Sequence, residues 1–445
     1  MVTVINRLLN TWQRETDAAP LAVFRIAFGL LMFISTLRFM LKGWVYTMYI
    51  QPKVFFPFFG WTWLQPLPGN FMYLVFALLL LSTVLIATGT LYRFSTLLFF
   101  VLFTYVELID KTNYLNHYYF ISLVGFLLIF LPAGKIYSVD NWLFKRPSIS
   151  QVAYGYIFAL QFQMFTLYFF AGIAKLNYDW LFQAQPLRIW LPPYNYLPLI
   201  GPFMEKAWLA FVFAWFGCIY DLAIGFLLFN PRTVRAAYVL VVVFHLATSI
   251  FFNIGMFPWI MMVITTIFFS PTFHRRLLNR LPKMDFSAQH INVYPKFIKP
   301  AIIVGFVFFF IQYALPFRYA LYPGKLFWTE QGYRFSWRVM LMEKAGTAMF
   351  TVEDKLTSKK SIVCNAEHLT YMQEKMMSTQ PDMLVDYAHY LEGVFKKKGY
   401  QQPIVKADVF VTVNGSGSKR FIDPDINLAA VDNSSLHAKN WVYSY

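Results

Sequence analysis

Apolar positions run in long unbroken stretches through the first two-thirds of the chain and in short alternating ones after that. Nine apolar stretches stand out, at 21–42, 71–91, 94–109, 119–133, 152–174, 207–229, 236–252, 255–269 and 299–316. An α-helix needs roughly 20 such residues to cross the hydrocarbon core of a bilayer. The pattern therefore predicts about nine transmembrane helices, with the third and eighth stretches short enough to be partial or re-entrant. Past residue 317 the pattern changes. Met349–Val352 and Lys359–Cys364 read as short strands, and Asp382–Lys397 reads as a helix with Met383, Leu384, Tyr387, Leu391 and Val394 on one face. Ile404–Val413 reads as a strand, NGSGS supplies the turn, and Lys419–Ile422 returns as its hairpin partner. The expected fold class is an α-helical polytopic membrane bundle followed by a small α+β extramembrane domain. Its parts are an amphipathic N-terminal segment (1–20), a membrane domain (21–316) and the extramembrane domain (317–445). In the first part Ile5, Leu8, Leu9 and Trp12 recur at helical spacing, which suits a helix lying on the membrane surface and equally a frayed tail.

Composition fits a membrane protein: 58% of the 445 residues are hydrophobic and 13% are charged. The formal charge of +16 would suggest nucleic acid in a soluble chain. Here the basic residues sit between apolar stretches, and no basic run is interleaved with stacking aromatics, so no nucleic-acid partner is expected. Topology explains the charge better. With nine spans, the loops and span ends on the N-terminal side hold fifteen Lys and Arg and those on the other side hold seven, the C-terminal domain left out. By the positive-inside rule the N-terminus is cytoplasmic. The C-terminal domain then faces a periplasm or lumen, and a bacterial inner membrane is the expected location. No cleaved signal is expected, because residues 1–20 carry Arg7, Arg14, Glu15 and Asp17 and no small-residue cleavage pattern ends the first apolar stretch. Two cysteines, Cys218 and Cys364, make neither a disulfide framework nor a thiolate zinc site. The seven histidines form no HExxH or other close ligand pair, so no metal is expected.

Three ionisable sites gather on one leaflet. YFFAGIAKLNYDW (168–180) ends the fifth stretch on Lys175; DKTNYLNHYYF (110–120) forms the loop between the third and fourth and carries Asn116 and His117; His245 lies in the second half of the seventh. Each has a bland account. Lys175 can snorkel to the interface, His117 can sit in a wet loop, and His245 can bond helix to helix. Each also has a chemical one. A lysine shielded from water can serve as a base near neutral pH, and ionisable residues inside spans usually face an interior or a cavity. Arg25, one turn into the first stretch, reads as a snorkelling residue.

YFFAGIAKLNYDW, DKTNYLNHYYF, FHLATSIFFNIGMFPW and GYRFSW, in that arrangement, resemble the vitamin K-dependent γ-glutamyl carboxylases and their bacterial relatives, the HTTM-domain proteins; DMLVDYAHYL and RFIDPDINL are similar too. The likeness runs from about Leu21 to about Leu428. It implies a membrane carboxylase that couples oxygenation of a reduced naphthoquinone to its epoxide with carboxylation of protein glutamate by CO2. It implies reduced vitamin K or a menaquinol-like hydroquinone as cofactor, O2 and CO2 as co-substrates, and as partners the lipid bilayer and a glutamate-containing protein or peptide. By position, Lys175 corresponds to the family's quinol-deprotonating lysine, Asn116 and His117 to the Asn-His pair lining the site, His245 to the histidine of the FH segment and Tyr333 to a tyrosine needed for epoxidation. Tyr319 in LPFRY and Met342 in GYRFSWRVMLMEK depart from the family, since the animal enzymes carry histidines there. Much of the extramembrane region those enzymes use to capture propeptides is missing, so protein recognition is expected to differ. Two alternatives stay open: quinol chemistry without glutamate carboxylation, and a transporter or lipid-binding protein using Lys175 and His245 as a proton or anion site.

Overall fold

The structure is a computed structural model describing residues 11–252, 254–281, 288–289, 298–433 and 437–445. All nine apolar stretches contain helix: α1 (Ala19–Leu41), α2 (Phe71–Thr88), α3 (Tyr92–Leu108), α4 (Asn116–Phe130), α5 (Tyr154–Lys175), α7 (Ala207–Phe229), α8 (Val234–Phe251), α9 (Phe257–Ile264) and α11 (Ile298–Ala314). Two shorter helices join them, α6 (Tyr178–Gln183) and α10 (Pro271–Leu278). The expected count of nine spans is not confirmed. Among the described residues six helices are long and apolar enough alone, and eight if two bent pairs each count as one span. α3 stops at 17 residues. The α9 segment breaks by 115° into α10, and α4 bends by 52° into the residues after it. Pro271 and Pro132 open the second half of each pair, where a missing N–H costs nothing at a helix start.

α5 is the axis of the bundle. Of its most apolar window 67% is buried, against 11% for the outermost span at 303–321. It runs against α7, and glycine permits the close approach. A Cβ on Gly172 would lie 2.8 Å from the backbone nitrogen of Leu222, and one on Gly225 would lie 2.5 Å from the Phe165 ring. Small residues at such contacts let two helices touch where lipid provides no hydrophobic drive.

Arg25 corrects an expectation. It does not snorkel. The side chain is fully buried, and its guanidinium donates to the carbonyls of Ala133 (2.9 Å), Ile136 (3.0 Å) and Tyr137 (2.6 Å). The turn after α4 leaves those carbonyls unpaired by helix, and a buried arginine satisfies three at once. Of the N-terminal segment, Ile5, Leu8 and Leu9 lie outside the described residues. Glu15–Asp17 forms a strand paired antiparallel with Gln151–Ala153.

The C-terminal region forms a second hydrophobic core. Four antiparallel strands lie in the order β2 (Lys360–Ile362), β1 (Lys344–Asp354), β3 (Pro403–Val413), β4 (Lys419–Arg420). β3 alternates cleanly, burying Val405, Val409 and Val411. α13 (Pro381–Lys397) covers that face with Met383, Leu384, Tyr387 and Leu391, all fully buried, and α12 (Tyr371–Met377) precedes it. β1 starts five residues before the expected Met349. Its first residues pair in register with β3, from Lys344 opposite Val413 to Ala348 opposite Val409. Gly346 and Thr347 mute the hydrophobic pattern there, so the ladder and not the side chains extends the strand.

The domain caps the end of the bundle where Lys175 lies. Lys111, in the loop before α4, donates to Asp382 (2.9 Å) and Asp386 (2.5 Å) on α13, and Arg334 donates to Asp382 at 2.8 Å. Asn414 reaches Asp179 on α6 at 2.8 Å.

Candidate active site

The stretch after α5 folds back on itself, and the sequence says why. Lys175 ends the helix. Asn177 caps the next one, its Oδ1 accepting from the Trp180 backbone N–H at 2.9 Å while its Nδ2 donates to the Ala174 carbonyl at 3.0 Å. That turn lays Trp180 against α7, where its indole N–H donates to the Ala214 carbonyl at 2.8 Å. The indole lies 5.4 Å from Lys175 Nζ, within cation–π range.

Lys175 does not reach for water. It is 7% exposed, and its Nζ donates to Asp221 Oδ2 at 2.6 Å and to the Ala171 carbonyl at 3.3 Å. Asp221 is 4% exposed on α7, one helical turn beyond Cys218 and level with Gly172 of α5. The glycine contact brings the two helices close enough for the pair to form.

Beside the pair lies a cavity of about 270 Å³. Lys175, Asp221, His117 and His245 all line it, with Tyr168, Trp180, Phe244 and Phe257. His245 is buried on α8. Its Nε2 pairs with the Tyr168 hydroxyl at 2.9 Å, and its Nδ1 has no protein partner among the described residues. His117, the second residue of α4, stacks on Phe257 of α9 at 5.2 Å and 28°. The cavity also touches Val212, Phe216 and Val243, which are 53%, 46% and 54% exposed. It therefore opens sideways, between α7 and α8, onto the apolar outer surface of the bundle.

Asn116 and Tyr333 stand outside the cavity wall. Asn116 accepts from the Tyr114 hydroxyl at 3.1 Å and donates to the Arg338 carbonyl at 2.7 Å. It holds in place the segment whose next two residues, Val339 and Met340, do line the cavity. Tyr333 begins that segment and packs near Phe327. Burial pushes its phenol well above the ordinary value. The segment is strained: Phe335, Trp337 and Met340 all have positive φ, at 59°, 59° and 50°. Such residues cost on the order of 1–3 kcal/mol each and persist where surroundings dictate the conformation, commonly at functional sites.

Arg338 faces the other way, into a second cavity of about 500 Å³ between the bundle and the C-terminal domain. It is 9% exposed and stacks over Tyr319 at 4.6 Å. Among the described residues its Nε has no hydrogen-bond partner, and its Nη2 donates to the Pro316 carbonyl rather than to a carboxylate. Phe170, Ile173 and Ala174 line this second cavity, while Leu167, Tyr168, Ala171 and Lys175 line the first. Opposite faces of α5 thus serve two chambers.

Sequence reasoning missed Asp221, Tyr168 and Arg338. Asp221 had a signal, since a carboxylate in the apolar stretch FGCIYDLAIG needs a partner. Tyr168 and Arg338 had none: tyrosine is frequent throughout the chain, and Arg338 lies outside the apolar runs, where a charge is not conspicuous. No group of three or more His, Cys, Asp or Glu able to hold a metal occurs among the described residues.

Apolar membrane-length helices and a lysine–carboxylate pair beside two histidines in a bundle cavity define an integral, multi-pass membrane protein with a buried polar site. Residues 13–273 match the HTTM domain family, and residues 298–445 match the lumenal domain of vitamin K-dependent gamma-carboxylase. The chain belongs to the HTTM-domain, vitamin K-dependent γ-carboxylase family. No solved structure matches it.

Proposed function

We propose that the Lys175 cavity holds a reduced naphthoquinone and that the chain couples its oxygenation to the carboxylation of glutamate in a protein or peptide by CO2. The observation that carries this reading is the convergence of Lys175, Asp221, His117 and His245 on one apolar chamber. The chamber suits a fused aromatic ring in size and lining, and its lateral opening suits an isoprenoid chain. His245 Nδ1, without a partner among the described residues, offers a hydrogen bond to a ring oxygen. When bound, the reduced naphthoquinone supplies, with dioxygen, a base strong enough to remove the weakly acidic γ-proton of glutamate, which no side chain can do.

The protein's part is proton handling, orientation and exclusion of water. Lys175 and Asp221 together form a net-neutral pair, whether the proton between them sits on Nζ or on Oδ2. The pair can take up one more proton, Nζ becoming ammonium and Oδ2 carboxylic acid, and it then carries a single positive charge beside the anion it has created. Asp221 thereby lets Lys175 act as a base without first being stripped of its counter-charge. The Tyr168 hydroxyl fixes the His245 ring, and the stack on Phe257 fixes His117. Asn116 acts as a positioning residue through the Arg338 carbonyl.

Arg338 supports a carboxylate-bearing substrate in the second chamber, because a guanidinium recognises a carboxylate through paired charge-assisted hydrogen bonds. The charge bias of the loops supports a cytoplasmic N-terminus and a C-terminal domain on the opposite face. A bacterial inner membrane, with menaquinol as the natural cofactor, completes the reading.

The test uses purified protein in nanodiscs with reduced vitamin K, dioxygen, labelled bicarbonate and a glutamate-containing peptide. Epoxide and fixed label should both form, and both should be lost in Lys175→Ala. Epoxide without label would replace the carboxylase reading with quinol oxygenation alone. Neither product, across several quinols and peptides, would overturn both.

A further inference from the structure

A third and larger chamber lies at the opposite end of α5 from Lys175. It has a volume of about 710 Å³ and is lined where α5 begins, α7 ends and α8 begins. The α5 residues that line it, Tyr154, Ile157 and Gln161, lie roughly 20–30 Å along the helix from Lys175, most of the thickness of a bilayer core. It therefore sits at the other membrane surface and plays no part in the chemistry proposed above.

Its lining has two halves. Leu228, Phe229, Ile267, Phe268 and Phe269 make an apolar wall. Arg14, Arg235 and Arg276 come to it from three distant parts of the chain, joined by the hydroxyls of Thr16, Ser270 and Thr272. No Asp or Glu lines it among the described residues. The nearby carboxylate of Asp17 is already engaged, accepting from the Ala19 N–H and pairing with Arg275. None of the three lining arginines makes an ion pair among the described residues, and Arg14 is held over the ring of Tyr154, itself part of the wall, at 5.5 Å.

We propose that this chamber binds an acidic phospholipid, its phosphate among Arg14, Arg235 and Arg276 and its acyl chains along the phenylalanine wall. Three guanidiniums without carboxylate partners among the described residues, at a membrane surface, complement a phosphate anion, and the apolar wall beside them complements the chains. Basic pockets between membrane helices recognise anionic head groups in this way. The site is independent of the quinol reading, so either can fail alone.

The experiment is native mass spectrometry of the full chain released from micelles holding phosphatidylglycerol and phosphatidylcholine of equal chain length. Phosphatidylglycerol should be retained selectively. Each Arg→Gln change at Arg14, Arg235 or Arg276 should weaken retention roughly fivefold, the worth of one basic residue near an anionic surface. Arg232→Gln with Arg280→Gln, removing two exposed arginines that do not line the chamber, should leave retention unchanged. Equal retention of the two lipids would overturn the proposal. So would equal loss in the control variant, which would mean a diffuse basic surface. Displacement of the lipid by millimolar inorganic phosphate would overturn it in favour of a free-phosphate site.

Discussion

At the scale of single residues, the proposed chemistry turns on how Lys175 is kept inside the protein. A lone ammonium in this chamber would be expensive, and Asp221 at 2.6 Å offsets part of that cost. In the proposed reaction the same contact makes the carboxylate a partner in proton transfer. Asp221→Asn removes the second proton acceptor and leaves Lys175 without its carboxylate partner. Epoxide formation is expected to fall on the order of a hundredfold, with Asp221→Glu keeping part of it. Turnover of the two variants against wild type checks this. Full activity in Asp221→Asn would reduce Asp221 to a structural counter-ion.

At the scale of elements, the pair exists because α5 and α7 touch. Gly172 is the contact, with no room for a side chain against the Leu222 backbone. Gly172→Val must push the helices apart, since the obstacle is main chain and cannot rotate away. A displacement of about 1 Å at a catalytic contact can cost a hundredfold in rate. Gly172→Val should therefore lose epoxide formation with the protein still monodisperse on gel filtration, and Gly172→Ala should lose less. Full activity in Gly172→Val would show that the α5–α7 contact does not set the geometry of the pair.

At the scale of the whole molecule, a charge cluster ties the C-terminal domain to the bundle. Burial alone would raise the Asp382 carboxyl, but the Arg334 guanidinium and the Lys111 ammonium overcome this and hold it well below the ordinary value of 3.8. A lowered carboxyl contributes stability above its ordinary value and loses it as the pH falls toward the folded one. Asp386 works in the opposite sense, because burial raises it despite Lys111, so it costs stability as it ionises. The domain should accordingly loosen on acidification below about pH 4, seen as faster hydrogen exchange along 381–397. Lys111→Met should move that transition to higher pH and destabilise the docked domain by about 3 kcal/mol, the usual cost of stripping one partner from a buried pair. Exchange indifferent to pH and to Lys111 would mean that apolar contacts hold the domain alone.

The sequence by itself determined the elements. Apolar runs of helical length and strands with period-two alternation are local patterns, and a membrane or a sheet face reads them one segment at a time. So the helices at all nine stretches, the helix over 381–397 and the hairpin after Ile404 were legible. Lys175 and His245 stood out as polar groups in or at the end of apolar runs, whereas His117 lay in a loop and was marked by the family resemblance. The tertiary structure decided what those residues meet. The number of helices long enough to cross depended on bends at Pro132 and Pro271, and the fate of Arg25 depended on carbonyls more than a hundred residues away. Asp221 became the partner of Lys175 only because two glycines let α5 and α7 close on one another, and Asn116 reached the chamber only through the carbonyl of Arg338. Distances between side chains on different helices are set by packing, and packing is not written in any one segment.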